Sequence, residues 1–175
     1  MALFLITGLP GSGKSTVYAE LKKRGYEAYD GDYDHFAKWY NNTTGEPIHE
    51  ERYHERSPEF LQEHSRNIAY QLVKDLAIKA QNTIVFLCAD PENEDELVGL
   101  FDEVFALRID ENIRQKRLAT RTNNTWGKLP HEVAYDLAVK PVALARYDKY
   151  DYKIIDSNRP IEDIIDFIVA SSSNI

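Results

Sequence analysis

The chain has 175 residues, enough for one domain with a real core. Twenty-nine acidic against twenty-one basic side chains leave a formal net charge of −8, which argues against a DNA or RNA partner, because affinity for a polyanion comes from Lys and Arg. A single cysteine, Cys88, excludes an internal disulfide, and no apolar run approaches the ~18 residues of a membrane span. No basic lead or cleavage site precedes the first apolar run, so no signal peptide is expected. The chain is expected to be cytoplasmic, monomeric or homodimeric, with no membrane partner.

Ala2 to Thr7 is a short apolar run of buried-strand character. It enters Gly8-Leu9-Pro10-Gly11-Ser12-Gly13-Lys14-Ser15, then Thr16, which fits G-x-x-x-x-G-K-[ST] at every fixed position. Val17, Tyr18 and Leu21 follow at helical spacing and Gly25 is a stop, so the motif lies between a strand and a helix. Gly8, Gly11 and Gly13 let the backbone curl so that successive N–H groups, with Pro10, Ser12 and Thr16 in the same cradle, face a phosphate. The helix N-terminus adds its positive end. Lys14 is expected to reach the terminal phosphates and the Ser15 hydroxyl to ligate Mg²⁺. These residues predict binding of a nucleoside triphosphate, taken as ATP.

Tyr26 to Tyr29 alternates as a second strand and runs into Asp30-Gly31-Asp32-Tyr33-Asp34. Ligands of an open parallel sheet bind at the carboxyl ends of its strands, so these carboxylates are placed to face the phosphate loop. One of them can take a hydroxyl proton or hold a Mg²⁺-bound water; an acidic turn in solvent is the alternative. The next stretch, 35–56, predicts helix over 34–40 and then a loop that binds an acceptor. Trp39 or Tyr40 would stack a ring and Arg52 or Arg56 would meet an anionic group, against the alternative of a solvated segment with local ion pairs.

Ser57-Pro58 reads as a helix start. Phe60, His64, Ile68, Leu72, Leu76 and Ala80 step by four, predicting one helix to Ala80 with His64 structural. The five histidines show no zinc-like pairing with cysteine. Thr83 to Ala89 predicts the central strand, closed by Asp90, which either holds Mg²⁺ through water or caps a loop. A short acidic helix near 93–101, a strand from Val104 to Ile109 and a helix from Asp110 to about Thr122 follow. Arg117 and Arg121 share a face of that last helix and can stack on a base and clamp phosphates. Thr122 to Pro130 predicts a mobile loop, with a helix near 131–140, a second piece after Pro141 to about Tyr150, and a strand over 152–156. Ser157-Asn158-Arg159-Pro160 is a turn, and the final helix buries Ile161, Ile164, Ile165 and Ile168.

Strands alternating with helices predict a doubly wound α/β domain. The pattern resembles the small-molecule P-loop kinases: shikimate, gluconate and adenylate kinases and related nucleoside kinases. The resemblance is carried by the Gly8–Thr16 motif and by Asp30-Gly31-Asp32, similar to the D-x-D of shikimate and gluconate kinases. It extends to Arg117-x-x-x-Arg121, similar to adenylate kinase lid arginines, and to Ile155–Pro160, where those families place an adenine-contacting loop. It implies a P-loop NTPase three-layer sandwich with a five-stranded parallel sheet in the order 2-3-1-4-5. It further implies one kinase domain over 1–175, an acceptor-binding cap about 33–62 and a lid about 117–136. By the same resemblance, Asp32 is the base and Asp30 a Mg²⁺-side carboxylate, the metal set being Ser15, Asp30 and Asp32. Arg117 lies on adenine with Arg159 and Pro160 opposite, and Arg121 touches phosphates. Asp32, Asp34, Trp39, Arg52 and Arg56 are the acceptor-side candidates. Ala89-Asp90-Pro91 departs from the Gly-Gly-Gly turn of shikimate kinases. The cap arginine of nucleoside monophosphate kinases has no unambiguous counterpart among Arg52, Arg56 and Arg66. The expected activity is transfer of the γ-phosphate of ATP to a nucleoside, a nucleotide or a small polyol or hydroxy acid. Nucleoside monophosphate phosphorylation and a P-loop ATPase or nucleotide switch are the alternatives.

Overall fold

The computed structural model describes residues 1–49, 56–122 and 125–172. Five strands form a parallel sheet: β1 (Leu3–Thr7), β2 (Glu27–Asp30), β5 (Val85–Cys88), β6 (Glu103–Arg108) and β7 (Lys153–Asp156), in the order β2-β5-β1-β6-β7. Numbered over this sheet alone, that is the expected 2-3-1-4-5. β1 lies at the centre, with Leu5 in register with Leu87 of β5 and Val104 of β6.

The period of two in β1 divides the core. Phe4 and Ile6 point to the face covered by α1 (Lys14–Lys23) and α7 (Ile161–Ser172), where they meet Val17, Leu21, Ile164, Ile165 and Ile168. There Phe4 stacks on Phe86 with ring centroids 5.4 Å apart. Leu3 and Leu5 point to the opposite face, against Val73 and Leu76 of α3 (Tyr70–Lys79), Leu97 of α4 (Glu94–Leu97) and Tyr147 of α6 (Pro130–Lys149). Both faces are covered, which is why β1 and β5 read as unbroken apolar runs. A 3-10 turn, Val98–Leu100, follows α4, and α5 (Glu111–Thr120) follows β6. Asp110 caps α5 by accepting from the N–H groups of Asn112 and Ile113.

Two expectations fail between β2 and β5. Residues 34–40 do not form a helix, and 57–80 is not one helix. Instead β3 (Ala37–Asn41) pairs antiparallel with β4 (His64–Ile68), and α2 (Pro58–Glu63) lies between them. The stripe misled because a step of four satisfies a strand's period of two as well as a helical turn. His64 and Ile68 are both buried, but on one face of β4. The hairpin's inner side, with α2, forms a small separate core of Trp39, Phe60 and Leu61.

A third expectation fails at Pro141. α6 runs unbroken through it for 20 residues. Proline supplies no N–H, so the Leu137 carbonyl loses its helical donor, and its exposed position leaves that carbonyl to water. Proline still costs a helix interior up to about 3 kcal/mol, and here its ring is exposed, so alanine gives up little buried surface. Pro141→Ala is therefore expected to stabilise the chain by about 1–3 kcal/mol, read from the urea midpoint; a lower midpoint would contradict this view of α6.

Candidate active site

The phosphate loop spans the gap between Thr7 and Lys14. Its shape depends on backbone that side chains disfavour: Gly8 has φ +148°, and a methyl group there would come within 2.8 Å of the Leu107 carbonyl oxygen. Gly13, at the N-cap of α1, has φ +106°. The loop is gripped from outside. Arg114 of α5, fully buried, donates from Nη1 to the Pro10 carbonyl at 3.3 Å, and Nη2 pairs with Asp136 of α6 at 2.7 Å and with Glu111 at 2.8 Å. The Ser157 hydroxyl, in the turn after β7, donates to the Ser12 carbonyl. The Lys14 ammonium folds back onto the Gly8 carbonyl and lies 3.4 Å from that of Leu9.

Across from the loop, the end of β2 is locked to the end of β5. The Gly31 N–H donates to the Cys88 carbonyl at 2.9 Å, and a methyl on Gly31 would come within 2.9 Å of the Ala89 Cβ. The glycine between the two aspartates thus answers a close approach. Asp30 is buried, and its Oδ1 accepts from the backbone N–H groups of Asp32 and Tyr33 at 2.9 and 3.1 Å. Asp34 turns back to accept from the Asp30 N–H at 2.8 Å, so it holds the turn and does not line the cleft. Asp32 does line it, and its Oδ1 accepts from Nη2 of Arg66 at 2.8 Å.

The hairpin and the segment after α5 close the cleft from above. Trp39 and Trp126 meet with ring centroids 6.4 Å apart. Arg56 lies over Trp126 at 5.7 Å and donates to Thr125 at 2.8 Å. Its Nε is 3.3 Å from the buried Glu132 carboxylate, whose other oxygen accepts from the N–H groups of Gly127, Lys128 and Leu129. Trp39 is therefore built into the small core, buried although it lines the cleft. Arg52 lies outside the described residues.

Together these elements enclose a cleft of about 1080 Å³. Its lining includes Pro10, Gly11, Gly13, Lys14, Ser15, Thr16, Asp30, Asp32, Trp39, Arg56, Arg117, Arg121 and Arg159. Gly8 and Ser12 lie in the wall behind it, and Pro160 stands at the start of α7 outside the lining. Ser15 with the carboxylates of Asp30 and Asp32 is an all-oxygen donor set, which fits Mg²⁺. No group of three or more His, Cys, Asp or Glu close enough to hold a metal occurs among the described residues. Mg²⁺ commonly relies on substrate phosphates and water for its remaining ligands.

The cations of the cleft fall into two sets. Arg56, Arg66, Arg146 and Arg159 each pair with a carboxylate: Glu132, Asp32, Asp95 and Asp163. Lys14, Arg117 and Arg121 meet only carbonyls among the described residues: Gly8 and Leu9, Gly11, and Trp126 respectively. Positive charge without a carboxylate partner is thus concentrated at the phosphate loop and the end of α5.

Several further residues lie beneath or beside this site. Arg66, one of the three arginines considered for the cap, stands on β4. Glu92 lines the cleft; its Oε1 accepts from the Arg66 N–H and the Tyr135 hydroxyl, both at 2.9 Å, and burial pushes its carboxyl above the usual range. Asp90 lies deep, and burial raises it against the pull of the Lys14 ammonium. Glu94 is buried behind the loop, accepting from the Thr7 hydroxyl at 2.8 Å and the Tyr152 hydroxyl at 2.9 Å. Burial, reinforced by Asp90, pushes the Glu94 carboxyl up to about 7. A carboxyl raised on folding contributes stability that is full below about pH 4.5 and is lost as pH rises through about 7. Glu94→Gln, which keeps the neutral form, is expected to match the parent's stability near pH 5. Near pH 8 it should exceed it by on the order of 3 kcal/mol in urea unfolding. An equal difference at both pH values would show that Glu94 does not titrate on folding.

The AAA domain family (AAA_18) matches residues 5–134. No curated protein matches the chain. Among solved structures, shikimate kinase from Acinetobacter baumannii in complex with shikimate is similar, with a TM-score of 0.62 and 15% identity over 98% of this chain and 94% of that one. Deoxyadenosine kinase from M. mycoides with products dCMP and dCDP gives a TM-score of 0.60 and 18% identity, covering 99% of this chain and 100% of that one. A gluconokinase from Sinorhizobium meliloti 1021 gives 0.53 and 17%, covering 93% and 86%. At these identities the similarity is one of fold. The phosphate loop, the parallel sheet and the match over residues 5–134 together establish that the chain belongs to the AAA domain family, built on the fold of the small-molecule P-loop kinases.

Proposed function

We propose that the chain transfers the γ-phosphate of ATP to a hydroxyl of a small acceptor. The acceptor lies between a cap, about 33–62, and a lid, about 117–136. The observation that carries this reading is that Lys14 and Asp32 open into one cleft, from the ends of neighbouring parts of the sheet. A loop that cradles phosphate and a carboxylate that can handle a hydroxyl proton share one enclosed space.

The donor's phosphates rest on the N–H groups of the loop and the N-terminus of α1. Lys14, Arg117 and Arg121, which have no carboxylate to neutralise, meet the charge that spreads over the equatorial oxygens during transfer. Arg117 also covers the adenine, with the Arg159-Pro160 turn opposite. Ser15, with Asp30 and Asp32 beside it, would hold Mg²⁺, which when bound would supply neutralisation of phosphate charge. Asp32 orients the acceptor hydroxyl and takes its proton as the oxygen–phosphorus bond forms and the bond to ADP breaks. The Arg66 guanidinium fixes the Asp32 rotamer for that task. Contact between Trp39 and Trp126 covers one side of the cleft with apolar rings, which limits the water beside the acceptor.

ADP release with Mg²⁺ and ATP, measured over a panel of nucleosides, nucleoside monophosphates and small polyols, tests this. At least one acceptor is expected to raise the rate well above the acceptor-free value. Asp32→Asn should lower that stimulated rate about 10²- to 10⁴-fold with the KM for ATP nearly unchanged. Lys14→Ala should impair both. Undiminished turnover in Asp32→Asn would remove Asp32 from the mechanism, and a steady rate indifferent to every acceptor would indicate an ATPase.

A further inference from the structure

We infer that Arg56 and Glu132 are positioning residues for Arg121. They join cap to lid around Trp126, and the Trp126 carbonyl then sets the direction in which the Arg121 guanidinium meets ATP. This rests on the kinase reading, in which Arg121 touches phosphate, and extends it to two residues on the far side of the cleft.

Arg121 does not hold its place by itself. It is the first residue past α5, with φ −62° and ψ 146°, so its backbone is extended and the helix no longer sets the direction of its side chain. Its Nη2 donates to the Trp126 carbonyl at 2.7 Å. The residue is half-buried, and burial holds the guanidinium below the usual arginine range against the pull of Asp32, Asp136 and Glu132. A partly buried cation on extended backbone is steered by its fixed acceptor, and here that acceptor is a main-chain carbonyl of the lid.

Trp126 belongs to no helix or strand, and two residues fix it. Glu132, wholly buried in the first turn of α6, accepts at Oε2 from the N–H groups of Gly127, Lys128 and Leu129 at 2.9, 3.2 and 3.3 Å. Leu129 is the N-cap of α6, and a capping box asks for that bond alone. The bonds to Gly127 and Lys128 go beyond capping and draw the chain after Trp126 around one oxygen. Oε1 faces the cap, 3.3 Å from Nε of Arg56. Arg56 holds Trp126 from that side. Its guanidinium carbon lies 5.7 Å from the centre of the indole, its Nη2 donates to the Thr125 hydroxyl at 2.8 Å, and its carbonyl accepts from Nε2 of His131 at 2.7 Å. Arg56 thus grips Thr125, Trp126, His131 and Glu132, on both sides of the carbonyl that Arg121 uses. Breaking one member of a pair whose carboxylate is wholly buried leaves that charge uncompensated, so the joint is held as a unit. An arginine on the acceptor side therefore acts on the donor's phosphates through the lid.

The test is a double-substitution cycle on the intact chain, read as the dissociation constant of MgATP by titration calorimetry with no acceptor present. Arg121→Ala should weaken MgATP about 10-fold or more, the loss of one charge-assisted contact. Arg56→Lys keeps the charge but not the planar fork that reaches Thr125 and Glu132 together, and should weaken MgATP about 5-fold. Glu132→Gln keeps the shape but not the charge and should do the same, about 5-fold. In the Arg121→Ala background neither substitution should change the affinity by more than about twofold, because the residue they position is gone. A residue that only stabilises the lid would weaken MgATP by the same factor with or without Arg121, so multiplied losses would overturn the inference. Parental affinity in Arg56→Lys, in Glu132→Gln or in Arg121→Ala would overturn it as well. Should one variant fail to fold, the cycle of the other decides. The kinase reading is judged apart, by acceptor-stimulated ADP release in the parent chain, which stands or falls whichever way the cycle closes; a parent that does not bind MgATP would overturn both.

Discussion

A single buried guanidinium holds the site in its working shape. Arg114 is enclosed on every side, and it ties α5, through Glu111, and α6, through Asp136, to the carbonyl of Pro10. A phosphate loop is a poor structure by itself, since its N–H groups converge on an empty centre and its glycines are free to choose other conformations. The remaining contacts build on that anchor. Ser157 reaches Ser12 from the far edge of the sheet, and Lys14 lies back on the loop it serves. Breaking one side of such a buried pair commonly costs several kcal/mol, because Asp136 would be left charged and dry.

The same chain pays in stability for its binding charge. Among the described residues Lys14, Arg117 and Arg121 hydrogen-bond only to carbonyls, an arrangement that a polyanion relieves. Beneath them Asp90 and Glu94 are raised by burial, and the charge of Asp90 raises Glu94 further. Around the cleft's upper half the opposite holds: arginine meets carboxylate at each turn. Glu132 alone fixes three backbone N–H groups and one guanidinium.

The sheet and the phosphate loop were legible because their signals are local. An apolar run, a glycine motif and a helix start lie within one stretch from Ala2 to Leu21. Asp30 and Asp32 could be placed by the rule that ligands gather at strand ends, while for Asp34 it is the turn alternative that describes its hydrogen bond. The hairpin of β3 and β4 was illegible because His64 and Ile68 satisfy two periods at once. Trp39 and Tyr40, residues that favour strands, were the only warning. Glu92 and Glu132 could not be read at all, since each gains its meaning from a partner far along the chain: Tyr135 and Arg56. Pro141 was over-read, as a helix with an exposed carbonyl four residues back can absorb a proline.

Phosphoryl transfer itself is the claim on which the rest turns, and its most direct measurement follows the phosphate. ATP labelled in its γ-phosphate is incubated with the chain, Mg²⁺ and a stimulating acceptor, and the products are separated. The account expects the label in a phosphate ester of the acceptor, at the same rate as ADP appears. Label found only in inorganic phosphate, at a rate the acceptor does not change, would contradict it.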